Sequence, residues 1–248
     1  MQLLRRGPVS ALILSGVALG LLILAPVGTR LGWWQYPFGL YRLMPASGLI
    51  AAAAVALSVL TLARGWSQLV WRSLTMLAVA LVLGAVLVYV PAQFFHTRYT
   101  LPPIHDITTD TGNPPAFSAV LTARAAEHAG NVDRHDPNLA QLQKAAYPEV
   151  APFQSALPVK QAFNEALLAA KSMPGWTIVA ADPATGCIEA SQQSRWFRFT
   201  DDIVIRVTAG EAGSRIDMRS TSRQGRSDYG VNAARIRAYL FALKKRIG

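Results

Sequence analysis

The chain has 248 residues, of which 52% are hydrophobic and only 15% charged, with a net charge of +10; soluble domains carry roughly 25% charged residues. Residues 1–99 hold seven arginines and no Asp, Glu or Lys, and all 14 acidic residues lie from Asp106 onward, so two physically different regions meet near residue 100. Cys187 is the one cysteine, which excludes an internal disulfide and a CxxC site for zinc or redox work.

Crossing about 30 Å of hydrocarbon takes about 20 apolar residues in a helix. Three stretches meet that length, at about residues 8–27, 44–63 and 70–90, and none carries a charge near its centre. Trp33, Trp34, Tyr36, Trp66, Trp71 and Tyr89 cluster where a head-group belt would lie. The first stretch follows Arg5-Arg6 as a signal peptide would, but its long apolar run without an A-x-A-like site reads as an anchor. Gly16 and Gly20 form a small-xxx-small pair of the kind that lets helices approach closely. An N-terminus inside puts Arg5, Arg6, Arg64 and Arg72 on the cytoplasmic side against Arg30, Arg42 and Arg98 outside. With three spans, residues 96–248 then lie outside the cytoplasm, and the lipid bilayer is the first partner the sequence implies.

Residues 96–116 read as an extended, proline-punctuated linker. A short helix is expected over 138–146, and Pro158 opens an amphipathic helix that Pro174-Gly175 ends. Four strands follow at about 176–181, 187–193, 196–207 (bulged at Asp201-Asp202) and 215–223. A last helix is expected over 229–246, with Ser227 or Asp228 as its cap and Lys244, Lys245 and Arg246 in its final turn. The fold class is therefore three N-terminal transmembrane α-helices plus a C-terminal α+β domain, an antiparallel four-stranded sheet with helices on one face. Alternation puts Ile203, Ile205, Val207, Ile216 and Met218 on the covered face. Arg215, Asp217, Arg219, Thr221 and Arg223 fall on the other, expected to be solvated.

The stretches IHDITTD (104–110), NPPAF (113–117), AYPEVAP (146–152) and RIDMRSTSRQGRSDYGVNAARI (215–236) resemble the family known as domain of unknown function 1499. The resemblance covers roughly residues 100–248 and implies a C-terminal domain of this kind, sometimes behind membrane helices. It brings no activity and no catalytic residue.

Residues 195–248 carry a net charge of +7. The densest polar constellation in them is Arg219, Ser222, Arg223, Arg226, Ser227, Asn232 and Arg235. It joins the end of a strand to a helix N-terminus, whose free N–H groups suit an anion, and arginine adds paired donors matched to carboxylate or phosphate. Arg219 and Arg223 would stand roughly 13 Å apart at about 3.3 Å per residue, a frame for a phospholipid head group or another large anion. Alternatively Ser227 and Asp228 only cap the helix, and these arginines pair with Asp217, Asp228 and Asp201 or Asp202 and are structural.

His105, Asp106 and Asp110, and separately His128, Asp133, His135 and Asp136, are the acid-base or metal candidates, but neither set has metal-ligand spacing. The chain has no GxSxG, GxGxxG or HExxH motif and no phosphate-cradling P-loop, so no cofactor and no catalytic residue is assigned. Cys187 follows a glycine turn and reads as a small core residue. The expected function is a membrane-anchored binding or assembly module for an anionic ligand, a phospholipid head group or a membrane protein partner, with nucleic acid disfavoured by the anchor. The alternative is an enzyme with its site near Arg219 to Arg235.

Overall fold

The computed structural model describes residues 2–129 and 138–247. Asp133, His135 and Asp136 of the second metal candidate lie outside the described residues. The chain divides into two compact units, Met1–Thr97 and Arg98–Gly248.

The first unit contains α1 (Gln2–Arg30), a short α2 (Tyr36–Phe38), α3 (Met44–Gly65) and all but the last three residues of α4 (Trp71–Thr100). Three helical stretches, Leu4–Arg30, Tyr36–Gln68 and Trp71–Thr100, are long and apolar enough to cross a membrane. Small residues line their contacts. Ala11, Ser15 and Ala18 of α1, Ala51 and Ala54 of α3 and Ala80 of α4 are fully buried. Serine hydroxyls tie the helices together, Ser15 Oγ donating to the Ala80 carbonyl at 3.2 Å and Ser47 Oγ to the Ala18 carbonyl at 2.8 Å. Gly16 and Gly20 take no part. Both are exposed, and a Cβ at either position would meet nothing within 4 Å. The seam runs instead through the residues at helical spacing from Ala11.

The second unit is an antiparallel sheet of six strands, not four. They are β1 (Asp106–Thr108), β2 (Phe153–Ser155), β3 (Trp176–Asp182), β4 (Cys187–Gln193), β5 (Thr200–Gly210) and β6 (Gly213–Ser222). The central ladder runs β3-β4-β5-β6, and β1 and β2 each pair with a different half of β6. Three residues are too few to show an alternation of polar and apolar positions, so these two strands leave no period in the sequence. The expected bulge at Asp201-Asp202 is also corrected. Both residues pair in unbroken register with β4 and β6, and the irregularity lies in β3 between Ile178 and Ala180.

Two long helices, α7 (Val159–Ser172) and α8 (Val231–Ile247), cover one face of the sheet. Phe163, Ala166 and Ala170 of α7 and Ile236, Tyr239 and Leu243 of α8 pack with Ile188, Ile203, Ile205, Ile216 and Met218. Burying each of those large side chains contributes about 1.5–3 kcal/mol, which makes this face the main core. Tyr239 keeps its hydroxyl satisfied there by donating to the Ala166 carbonyl at 3.1 Å.

The opposite face is not simply solvated. The segment after β1 crosses it and forms α5 (Leu121–Ala126), while a further helix, α6 (Leu139–Ala146), follows in the chain. Phe117 and Val120 of the crossing segment bury against Val204, with Cys187 packed beside them. Glu189 of β4 anchors this cover. Its carboxylate is 3% exposed and accepts the backbone N–H groups of Ser118, Ala119 and Val120 at 2.8, 2.9 and 3.0 Å. A charged acceptor there satisfies the donors at the start of α5, which has no capping side chain of its own.

Candidate functional site

Strand alternation splits the seven residues of the expected anion site between two faces of the sheet and one loop. Arg219 and Arg223 point to the face crossed by residues 109–126. Ser222, Asn232 and Arg235 lie on the helix-covered face. Arg226 and Ser227 sit in the loop between β6 and α8.

On the first face the arginines are engaged one by one. Arg219 is 7% exposed and grips Asp106 through two bonds, Nε to Oδ1 at 2.9 Å and Nη2 to Oδ2 at 2.7 Å. It also donates to the Pro115 carbonyl and lies over the Phe117 ring, 5.2 Å from its centroid. Arg223 grips Asp202 in the same two-pronged way, at 2.9 and 2.8 Å, and reaches Glu127 at 2.6 Å. Asp202 is fully buried and takes a second cation, Arg124, at 2.8 Å. Further along, Arg206 and Arg215 share Asp217 and Asp110. Every carboxylate in these clusters thus faces a guanidinium group, as a desolvated charge requires.

The helix-covered face holds a separate polar network. Arg235 donates to Gln192, to Ser220 at 3.0 Å and to Asp201 at 2.5 Å, and it bonds the Asn232 side-chain oxygen. The Asn232 amide donates onward to Ser222 Oγ at 3.1 Å and to the His105 carbonyl at 2.9 Å. The α8 N-terminus, where an external anion was expected, is already answered by Asp228. Its two carboxylate oxygens accept the N–H groups of Gly230 at 2.9 Å and Asn232 at 2.7 Å. Burial pushes the Asp228 carboxyl above its usual range, while those two N–H groups pull it down. Gly225 and Gly230 take φ values of +86° and +83°. They therefore serve the left-handed turns of the loop.

What is left open at this end of the sheet is a second layer that the motif reading missed. Arg226 is exposed. The neighbouring β4–β5 hairpin tip, residues 194–199, carries exposed Arg195, Trp196 and Arg198, with Phe197 and Phe199 stacked at 5.9 Å. The two loops are stitched together. Arg223 N–H donates to the Thr200 carbonyl at 2.8 Å, and Thr200 N–H donates to Gln224 Oε1 at 3.1 Å. The run SRWFRF was legible as two arginines interleaved with aromatics, but it was absorbed into the start of an expected third strand. In fact β5 begins only at Thr200.

A cleft of about 430 Å³ in the C-terminal unit is lined by Pro115, Ser118, Asp182, Cys187, Glu189 and Arg206 among others. Two of its charged groups are tied to the protein. Glu189 holds three N–H groups, and Arg206 is bonded to Asp217 and to the Asn113 carbonyl. Burial, with Glu189 and Asp182 nearby, pushes the Cys187 thiol up, away from the thiolate form a nucleophile needs. Asp106 and Asp110 of the first metal candidate are the partners of Arg219 and Arg215. Among the described residues no group of three or more His, Cys, Asp and Glu side chains comes together to hold a metal ion.

A family model described as Protein of unknown function (DUF1499) matches residues 106–243, more than half of the chain. No curated protein matches the chain in sequence. Among solved structures the chain is similar to the X-ray structure of protein MLL2253 from Mesorhizobium loti, at 11% identity over 38% of this chain and 92% of that one, with a TM-score of 0.32.

Proposed function

The chain belongs to the family described as Protein of unknown function (DUF1499), and we propose that this member is a membrane-anchored binding module. In this reading its C-terminal domain lies outside the cytoplasm and takes up an anionic group on a basic surface at one end of its sheet. The observation that supports the reading is the division of labour among the arginines there. Arg219, Arg223 and Arg235 are committed to Asp106, Asp202 and Asp201, so they build and hold the loop rather than wait for a ligand. Arg226 and Arg198 stand exposed beside it. No ion pair among the described residues engages either one. A rigid, internally neutralised base that presents uncompensated cations is the arrangement that concentrates anions from solution.

The orientation rests on charge. Arg5 and Arg6 lie in the first turn of the first candidate span, and Arg64 and Arg72 flank the turn between the second and third. The positive-inside rule puts these on the cytoplasmic side and the C-terminal domain on the other. To test the binding site, the full chain in a neutral detergent is titrated calorimetrically with pyrophosphate. Saturable binding is expected, weakened about tenfold or more by Arg226→Ala, the loss of one charge-assisted contact. A flat titration of the unaltered chain would remove this reading.

A further inference from the structure

We propose that the β4–β5 hairpin tip, with Trp196 as its anchor and Arg195, Arg198 and Arg226 around it, docks on the anionic lipid surface of the bilayer that holds the chain. The proposal rests on the anion-attracting surface described above and names the bilayer as the source of the anion.

Composition is the first ground. Trp196 is 64% exposed at the end of a tight loop, bare area that a folded domain seldom leaves on so large a ring. The Arg195 guanidinium lies 5.7 Å from the centre of the Trp196 ring, so cation and aromatic are presented together. Tryptophan beside arginine is the combination enriched at the level of lipid head groups, where the ring finds an apolar edge and the cation finds phosphate. Phe197 and Phe199 of the same loop stack on each other, with ring centroids 5.9 Å apart. The tip holds no carboxylate, and the loop next to it has only buried Asp228. A mixed-charge protein surface would be the natural partner for alternating charges. The tip is of one sign and is studded with aromatics, and the exposed carboxylate beside the neighbouring loop, Glu127, is paired with Arg223.

Chain connectivity is the second ground, and it is independent of the first. Only five residues, Leu101–His105, separate the end of α4 from β1. They enter the domain at the same end of the sheet as the tip. The His105 carbonyl accepts the Ser222 N–H at 3.1 Å, the Ile104 carbonyl accepts the Asp228 N–H at 3.2 Å, and Asp201 pairs with Ser222 across β5 and β6. The aromatic tip, the Arg226 loop and the entry of the chain from its third candidate span thus share one edge. The opposite edge, where β5 turns into β6 at Gly210–Gly213, carries Glu211 and no exposed aromatic. A tether this short keeps the first edge at high effective concentration next to the bilayer. Modest affinity per residue therefore suffices for docking.

The test uses the full chain in nanodiscs, with Cys187→Ser so that a cysteine introduced at Ser194 takes a single environment-sensitive fluorophore. A matching label at Glu211→Cys reports the far edge. Replacing part of the phosphatidylcholine with phosphatidylglycerol should shift the Ser194 emission to the blue and leave the Glu211 label unmoved. Raising salt should reverse the shift, because the attraction is screened over about 10 Å at 0.1 M ionic strength. Arg198→Ala and Arg226→Ala should each raise the proportion of anionic lipid needed, with docking weakened about fivefold per arginine. Trp196→Ser should abolish the shift at every composition. A Ser194 signal that is the same with and without phosphatidylglycerol overturns the proposal. So does one that changes only with protein concentration, which would mean that a second protein covers the tip. If the lipid response is absent while the pyrophosphate titration remains saturable, docking alone fails. If both are absent, the anion-binding reading falls with it.

Discussion

Asp202 has no exposed surface and faces two guanidinium groups, Arg124 at 2.8 Å and Arg223 through both of its carboxylate oxygens, with Ser191 Oγ donating at 2.7 Å. Removing one member of such a cluster leaves uncompensated charge in a desolvated place, which costs about 3–5 kcal/mol. Asp202→Ala should therefore lower the opening free energy of β5 and β6 by about that amount, read by amide hydrogen exchange. A change below about 1 kcal/mol would mean that water reaches the cluster and screens it. Asp228 gives a pH test of opposite character. Burial raises its carboxyl, so the folded state binds that proton more tightly than the unfolded chain does. Its contribution to stability then falls as pH rises from the ordinary carboxylate range through the raised value, and the cost stays in force at neutral pH. Measured against Asp228→Asn, which cannot titrate, the unaltered protein should lose relative stability with rising pH across that window. Parallel pH profiles would show that the carboxyl is not raised. The sequence showed that these arginines were concentrated in one region, and the ion-pairing alternative named Asp202, Asp201 and Asp217 among the partners. It could not show that Arg219 would choose Asp106, 113 residues away in sequence, because a pairing between distant strands leaves no local pattern.

Elements longer than about six residues were legible and the shorter ones were not. The 3.6-residue spacing of Ala162, Phe163, Ala166 and Ala170 gives α7 directly, and the alternation of Ile203, Ile205 and Val207 gives the buried face of β5. The strands β1 and β2 have three residues each and are ordered by pairing with β6. α5 exists for a reason outside its own sequence, since its first N–H groups are answered by Glu189 on a strand 69 to 71 residues away. This dependence predicts the effect of Glu189→Ala. Amide protection should drop across residues 117–126 while β4, β5 and β6 keep theirs, and the Arg223 contact with Glu127 just after α5 should loosen with it. A uniform loss across the sheet would show instead that Glu189 supports the central ladder itself.

At the scale of the molecule, two units of contrasting chemistry are joined near residue 98. The compositional break was visible because acidic residues stop so abruptly, and the three helices are long and apolar enough to match the thickness of a bilayer's hydrocarbon core. The C-terminal unit has its own core on one face of the sheet and its own ion-pair layer on the other. Residues 100–248 expressed alone should therefore unfold in one cooperative transition, and an aggregated product would show that the membrane helices complete its core. In the proposed topology three spans anchor this domain on the far side of the membrane from the cytoplasm. The most direct measurement is a pair of reporters fused after Gly248, one that becomes active only outside the cytoplasm and one only within it. An active first reporter and a silent second are expected. Activity of the cytoplasmic reporter alone would contradict it.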